Sequence, residues 1–434
     1  MAIKEVPKTA PFKVGVVSQI KSLVNIAKKG RQILRHQLVR IYFFLVPRFR
    51  PQLNDKNFGL NFIGYSQGDL GLGQAMRSMV FAALNASIPL VVRKFKARIP
   101  SNQTDRSLEK FFVSQCKYPV NIICANPDTL HYLPSWVRYS EWAKTYNIGY
   151  WFWELENFPV AWQYATSIVD EIWVAADYIA DAMRKSGKKV VKIPFPLEFE
   201  LPPESMNKEY FGLNSDEFTF IFSFDFLSVF EKKNPQATIK AFKQAFPVGD
   251  HTVRLILKTM NGSHYSPLIK NLEELIDQDP RIEIRDEYLT QNEMRGLIRS
   301  SNCYISLHRA EGLGLGLAEA MYLGKPTIAT GYSGNTEFMN STNSILVPYT
   351  LVPVPNGAYP NGKDQVWAEP DIAVAAEKMR QMVADSALRE QLGKTAATYL
   401  REQHSYIKVG QAIRAQLEQI QCQTIINSVM SSHL

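Results

Sequence analysis

The stretch His308-Arg309-Ala310-Glu311-Gly312-Leu313-Gly314-Leu315-Gly316-Leu317-Ala318-Glu319-Ala320-Met321 decides how this chain is read. It follows a short apolar run, Cys303 to Leu307, that predicts a buried strand, and it opens a helical pattern ending near Leu323. At a glycine-rich strand-to-helix junction, unpaired backbone N–H groups and the positive helix end face outward from the sheet. Glycine carries no Cβ, so an anion can approach the backbone closely, which is a phosphate-binding geometry. Glu311 before the helix and Glu319 in its early turns cannot be ligands of a phosphate. They suit the hydroxyls of a sugar. Phosphate donors with two hydroxyl acceptors describe a nucleotide-sugar site. On the turn alone, a plainer reading stands beside it: a tight connection in which Glu319 is an acid favoured by the helix dipole.

Outward from this stretch, short apolar runs alternate with helical patterns, the signature of an α/β chain. In the first half the expected strands are Leu60 to Tyr65, Leu90 to Phe95, Val120 to Ala125, Ile148 to Trp153, Glu171 to Val174 and Val190 to Ile193. Helices are expected over Gly71 to Ala86 and Tyr178 to Lys185. Pro194, Pro196, Pro202 and Pro203 then mark a linker. The second series has strands at Phe218 to Phe224, Val253 to Lys258, Ile282 to Ile284, Cys303 to Leu307, Lys325 to Ala329 and Ser344 to Val347. Helices follow at Pro235 to Ala245, Ile372 to Tyr399 and Val409 to Val429, the last expected to cross back onto the first domain. Residues 350–370 read as a long Pro/Gly/Asn-rich loop, and a loop of that length is more often functional than connective. The expected division is an extension over 1–50, domains over 51–200 and 201–404, and a C-terminal helix over 405–434.

The formal charge of +8 is unevenly placed. Residues 1–50 hold eleven Lys or Arg and one acid, a net of +10, while the remainder holds 38 basic and 40 acidic side chains, a net of −2. Val16, Ile20, Leu23, Ala27, Leu34, Leu38 and Ile41 recur at helical spacing among Lys21, Lys28, Lys29, Arg31, Arg35 and Arg40. That pattern fits a basic amphipathic helix on an anionic membrane surface, and equally a helix packed on its own domain. No zinc-finger spacing or RNA-binding signature supports nucleic acid as a partner. Four scattered cysteines without C-x-x-C argue against a disulfide framework or structural zinc site and favour a reducing, cytoplasmic setting. No apolar run approaches the roughly 18–20 residues that span a bilayer, and no signal peptide is legible.

The 308–321 stretch closely resembles the E-x7-E signature of glycosyltransferase family 4, the retaining GT-B enzymes that use nucleotide sugars. The resemblance extends to Leu323-Gly324-Lys325-Pro326-Thr327-Ile328-Ala329-Thr330 and Ser333-Gly334-Asn335. It is close over residues 220–400 and looser over 57–200. It implies a GT-B fold: two Rossmann-like α/β domains facing across a cleft, here with the basic helical extension. It implies that Glu319 holds the nucleotide ribose, that Glu311 holds the transferred sugar, and that Gly314, Leu315 and Gly316 offer N–H groups to sugar or diphosphate. Lys233 matches the family's lysine on the diphosphate. The family's arginine falls at Ser228, a departure: either Lys232 or Lys258 compensates, or stabilisation of the leaving group is weaker than usual in the family. The first-domain turn Gly68-Asp69-Leu70-Gly71-Leu72-Gly73 would face the donor phosphates, through Gly71 and Gly73. Arg77, one turn on, either supports the phosphates or is exposed. The family's first-domain histidine is missing at Tyr150-Trp151-Phe152-Trp153-Glu154, so Glu154 is the candidate for orienting the acceptor, and His308 is a candidate donor contact.

The activity so implied is a retaining hexosyltransferase (EC 2.4) that moves a sugar from a nucleoside-diphosphate sugar to a carbohydrate or lipid-linked acceptor. The setting would be surface-polysaccharide assembly at the inner membrane face. Retention in the family is attributed to front-face attack, which needs positioning and electrostatics more than a strong base. No cofactor and no metal are expected; the lone D-x-D, Asp277-Gln278-Asp279, sits at a predicted helix end. Rival readings are a catalytically weak scaffold of the same fold, a sugar-nucleotide epimerase, and a dinucleotide oxidoreductase. The last fails its fingerprint, since Gln74-Ala75-Met76-Arg77 follows the first G-x-G and the next strand ends in lysines.

Overall fold

The computed structural model describes residues 57–94 and 102–431, together with helical positions between residues 30 and 45. The chain builds two six-stranded parallel sheets. The first contains β1 (Leu60–Gly64), β2 (Leu90–Lys94), β3 (Val120–Cys124), β4 (Tyr146–Tyr150), β5 (Glu171–Val174) and β6 (Lys189–Lys192), in the order β2-β1-β3-β4-β5-β6. The second contains β7 (Phe218–Asp225), β8 (Val253–Met260), β9 (Ile282–Asp286), β10 (Cys303–Ser306), β11 (Thr327–Thr330) and β12 (Ile345–Val347), in the order β12-β11-β10-β7-β8-β9. Both are covered by helices, which is why their central strands read as nearly unbroken apolar runs. In each sheet the strand order reverses beside the first strand, between β1 and β3 and between β10 and β7. Ligand crevices of open α/β sheets form at such points, outside the carboxyl ends of the strands.

A buried polar ladder fixes the register of the first sheet. Asn61, Asn121 and Asn147 are paired neighbours on β1, β3 and β4. Asn61 Nδ2 donates to Asn121 Oδ1 at 2.9 Å, and Asn121 Nδ2 to Asn147 Oδ1 at 2.8 Å. A one-residue slip would strand all three in apolar surroundings. Beside them on β5, buried Glu171 pairs with Lys189 at 2.8 Å and accepts from Trp173 Nε1, Tyr146 and Gln416. Gln416 belongs to the C-terminal helix Tyr406–Ser431, which crosses back from the second domain and packs on the helix Gly71–Asn85.

Most strand expectations match to within a residue or two. Two differ. The fourth strand is Tyr146–Tyr150, so Trp151 to Trp153 have already left the sheet. The 350–370 segment is not a structureless loop: Tyr349–Pro353 (β13) and Val366–Pro370 (β14) pair antiparallel as a hairpin, and only its tip is irregular. The helix Ser266–Ile276 ends at Asp277, where the sequence predicts a helix end, and the helix Gln291–Ser300 went unread in the sequence. Residues 193–217 contain no helix or strand, in keeping with their prolines. Of the N-terminal amphipathic pattern, Val16, Ile20, Leu23 and Ala27 lie outside the described residues. Val39 and Phe43 pack on the first domain, with the Phe43 ring 4.3 Å from that of Trp142. Leu34, Leu38 and Ile41 are exposed. No helix among the described residues is long and apolar enough to cross a membrane.

Asn121→Ala would remove the centre of the ladder and leave buried partners on Asn61 and Asn147 unpaired. We expect a loss of about 3 kcal/mol in urea unfolding. Ligand affinity should be unchanged, because the ladder lies at the opposite end of the strands from the cleft.

Candidate functional site

The loops at the two reversal points, with the one after β4, meet across one cavity of about 1350 Å³. From the first sheet come Gly71 and its neighbours after β1, Asn126 and Asp128 after β3, and Phe152 to Glu154 after β4. From the second come Ser228, Lys232 and Lys233 after β7, and Glu311 to Gly316 after β10. Gly314 takes a φ of +84°, a left-handed conformation that glycine adopts without strain, and the helix Leu315–Tyr322 starts at the next residue. The turn is clamped from behind. Glu311 N donates to Ser333 Oγ at 2.8 Å and Gly334 N to Glu311 O at 2.9 Å. A Cβ at residue 334 would lie 2.1 Å from Gly312 O, so no side chain fits there.

Lys232 and Lys233 are adjacent yet serve different partners. Lys233 Nζ pairs with Glu311 Oε1 at 2.5 Å within its own domain. Lys232 Nζ reaches across the cleft to Glu154 Oε1, also at 2.5 Å. Burial pushes the Glu311 carboxyl up, but the ammoniums of Lys233 and Lys232, with His308, more than reverse this and hold it at about 2. Burial alone would lower the Lys233 ammonium; its Glu311 partner raises it above the ordinary lysine value. Glu154 also accepts from Tyr359 Oη at 2.6 Å. Glu319 lies beside the cavity rather than on its wall. Its Oε1 accepts from Arg295 at 3.0 Å and from Gln74 of the first domain at 3.3 Å. Its Oε2 has no hydrogen-bond partner among the described residues.

The structure therefore gathers Glu311, Lys233, Glu154, Lys232, Ser228, Gly71, Gly314, Leu315 and Gly316 at one cavity. Others stand elsewhere. His308 is fully buried, bonded to Ser306 Oγ, Tyr332 O and Asn335 Oδ1, and burial pushes its imidazole pKa down. It supports the loop rather than reaching the cavity. Lys258 spends its ammonium on the carbonyls of Thr259 and Glu287, and burial lowers its pKa against the pull of Glu287 and Asp286. It does not stand in for the missing arginine on the cavity wall. Gly73 is set by packing, since a Cβ there would lie 2.3 Å from Gly68 O. Arg77 is buried, not exposed; it donates to Gly68 O at 2.9 Å and pairs with Asp105 at 3.0 Å. Asp279 is held by Arg281 at 2.7 Å.

Sequence reasoning missed Asn126, Asp128, Trp162, Arg295, Gln74 and Tyr359. Only Tyr359 carried a signal, its place in an unusually long loop.

Residues 221–353 match the family model described as "Glycosyl transferases group 1". No curated protein matches the chain in sequence. Among solved structures, HepE from Anabaena, crystallised with UDP and glucose, superposes with a TM-score of 0.59 at 14% identity, over 83% of this chain and 100% of that one. Sucrose-phosphate synthase from Thermosynechococcus elongatus gives 0.61 at 13% identity, over 83% and 99%. S. aureus TarM, as a variant solved with Fondaparinux, alpha-GlcNAc-glycerol and UDP, gives 0.52 at 12%, over 71% and 57%. The shared feature is the fold: two facing parallel-sheet domains of the GT-B type.

Lys233→Ala would leave the Glu311 carboxylate buried without its partner, at a cost of about 3–5 kcal/mol at neutral pH. A carboxyl held at about 2, against 4.5 ordinarily, contributes stability that is fully present above pH 4.5 and lost as the pH falls toward 2. Urea unfolding between pH 7 and pH 3 should show that slope in the wild type and lose it in the variant.

Proposed function

We propose that the protein is a retaining glycosyltransferase of family 4 type, moving a hexose from a nucleoside-diphosphate sugar to a carbohydrate or lipid-linked acceptor. The observation that carries this reading is the Glu311–Gly316 turn on the cavity wall, with Lys233 paired to Glu311 and the free Oε2 of Glu319 beside it. Backbone N–H groups of Gly314 to Gly316 would meet the diphosphate, Glu319 the ribose and Glu311 the sugar hydroxyls. HepE and TarM were crystallised with UDP, which supports a uridine nucleotide as the first donor to try. In a front-face reaction the acceptor hydroxyl bonds to the anomeric carbon as the bond to the phosphate oxygen breaks, and that oxygen takes the hydroxyl proton. The chain then has to position both substrates and stabilise charge on the leaving diphosphate, through Lys233 and the turn.

The pairing of both lysines with carboxylates, and Ser228 where the family has arginine, favour one second reading: a nucleotide-binding scaffold with little turnover. Donor-dependent product formation separates the two. A thermal-shift panel of UDP, GDP, ADP and their sugar conjugates should raise the melting temperature for one nucleotide family, and Glu319→Ala should abolish the response. Glu311→Gln should then lower turnover by about 10²–10³. No response to any nucleotide would reject both readings.

We further propose work at the cytoplasmic face of a membrane, in glycoconjugate or surface-polysaccharide assembly. Supporting this, Ile33, Leu34, Leu38, Ile41 and Leu45 stand exposed on a helix within a strongly basic segment. Leu34→Glu with Leu38→Glu should abolish co-sedimentation with anionic vesicles and leave nucleotide binding intact.

A further inference from the structure

The donor reading leaves one side of the cavity unused, the side built by the first domain and the hairpin tip. After β3, Asn126 Oδ1 accepts from Phe152 N at 2.9 Å, and its amide nitrogen has no partner among the described residues. Trp162 is 5% exposed and lines the cavity, yet its indole N–H has no partner among the described residues. Trp153 packs edge-on against both Trp162 and Tyr359, at 4.8 and 5.6 Å between ring centroids. Asp128 opens into the cavity, and the surrounding protein pushes its carboxyl up to about 6.

The hairpin tip is pinned onto this side. Tyr359 donates to Glu154. Gln365 accepts from Asn157 N at 3.1 Å and donates back to Asn157 O at 3.0 Å. The second domain thereby places Tyr359, Pro360 and Asn361 on the wall beside the first domain's tryptophans.

The chemistry of this side is distinctive. It offers unpaired N–H donors, a carboxyl acceptor and aromatic walls, but no free lysine among the described residues: the two lysines on the cavity wall are already paired with Glu154 and Glu311. A sugar ring presents an apolar C–H face to aromatic rings and hydroxyls that both donate and accept. A phosphate or a uronic acid would add a further negative charge beside Asp128 and Glu154, with no unpaired lysine among the described cavity residues to meet it.

We propose that the hairpin tip carrying Tyr359 closes an acceptor pocket, with Asn126, Asp128, Trp153 and Trp162, that takes an uncharged sugar ring and turns away phosphorylated or uronic acid acceptors. The proposal rests on the glycosyl-transfer reading and deepens it by naming the acceptor class. Lipid-linked acceptors remain within it only where the ring at the accepting end is neutral.

The test uses the full chain and the nucleotide sugar that stabilises it. Nucleoside diphosphate release is followed with nitrophenyl glycosides of glucose, galactose, mannose and N-acetylglucosamine, and with glucose 6-phosphate and nitrophenyl glucuronide. The neutral set should stimulate release at least tenfold more than the charged set. Tyr359→Ala should raise the acceptor KM at least tenfold, and Tyr359→Phe less, with the donor-induced thermal shift retained as proof of folding. Asp128→Asn should narrow the gap between neutral and charged acceptors, an effect that a purely structural role would not produce. Stimulation by the charged set, or by neither set, overturns the proposal, as does an unchanged acceptor KM in Tyr359→Ala. Absence of any nucleotide-induced shift in the wild type would instead reject the transfer reading, and is seen before an acceptor is added.

Discussion

Everything at the cleft depends on how two consecutive lysines are shared out. The short helix Phe230–Lys233 ends at Asn234, in the left-handed region at φ +52°, and Pro235 opens the next helix. That abrupt turn fixes Lys233 toward its own domain and Lys232 toward the other. A buried ion pair is poor at adding stability, because desolvating two charges consumes most of the attraction. What it does well is specify. Glu311 stays charged in a place where burial would protonate it, and Lys232 sets how near Glu154 comes to the glycine turn. The cleft's width and its charge state are thus two outcomes of one dipeptide.

This arrangement creates an electrostatic tension. Asp69, Asp128, Asp225, Asp286 and Glu287 line the cavity in addition to the paired glutamates. An incoming diphosphate would meet more carboxylates than ammoniums. Neutral dipoles must then carry much of its recognition, and the N–H groups of the glycine turn are well suited because they cost nothing to reorient. The acids are also partly spent: Asp225 accepts from Asn261 at 2.8 Å and Asp286 from Thr259 at 2.9 Å.

The parallel strands were legible because burial on both faces makes them continuous apolar runs, and the glycine turn because its spacing is constrained by backbone geometry. Glu311, Lys233 and Glu154 could be found from their places beside such turns. The failures have a common cause. His308 lies three residues before Glu311 and Lys258 two before the cavity-lining Met260, but a buried side chain a few residues along a strand or loop points elsewhere. Asn61, Asn121 and Asn147 look like interruptions of apolar runs; only pairing across strands reveals them as a ladder. Tyr359 and Gln365 act on residues some two hundred positions away, and no local pattern encodes such a contact. The hairpin was hidden by prolines at its strand ends, where an edge pair tolerates them.

The path of the backbone between the domains carries a mechanical consequence. The chain passes from the first domain to the second through residues 193–217 and returns where the helix Tyr406–Ser431 begins. The two passages touch: Leu197 N donates to His404 O at 2.7 Å, and His404 Nδ1 bonds to Phe195 O at 2.8 Å. Two covalent tethers fastened side by side resist twisting and sliding while leaving rotation about their common line comparatively free. The domains are thereby geared as two leaves on one pin, and the motion such a joint permits is the opening and shutting of the cleft.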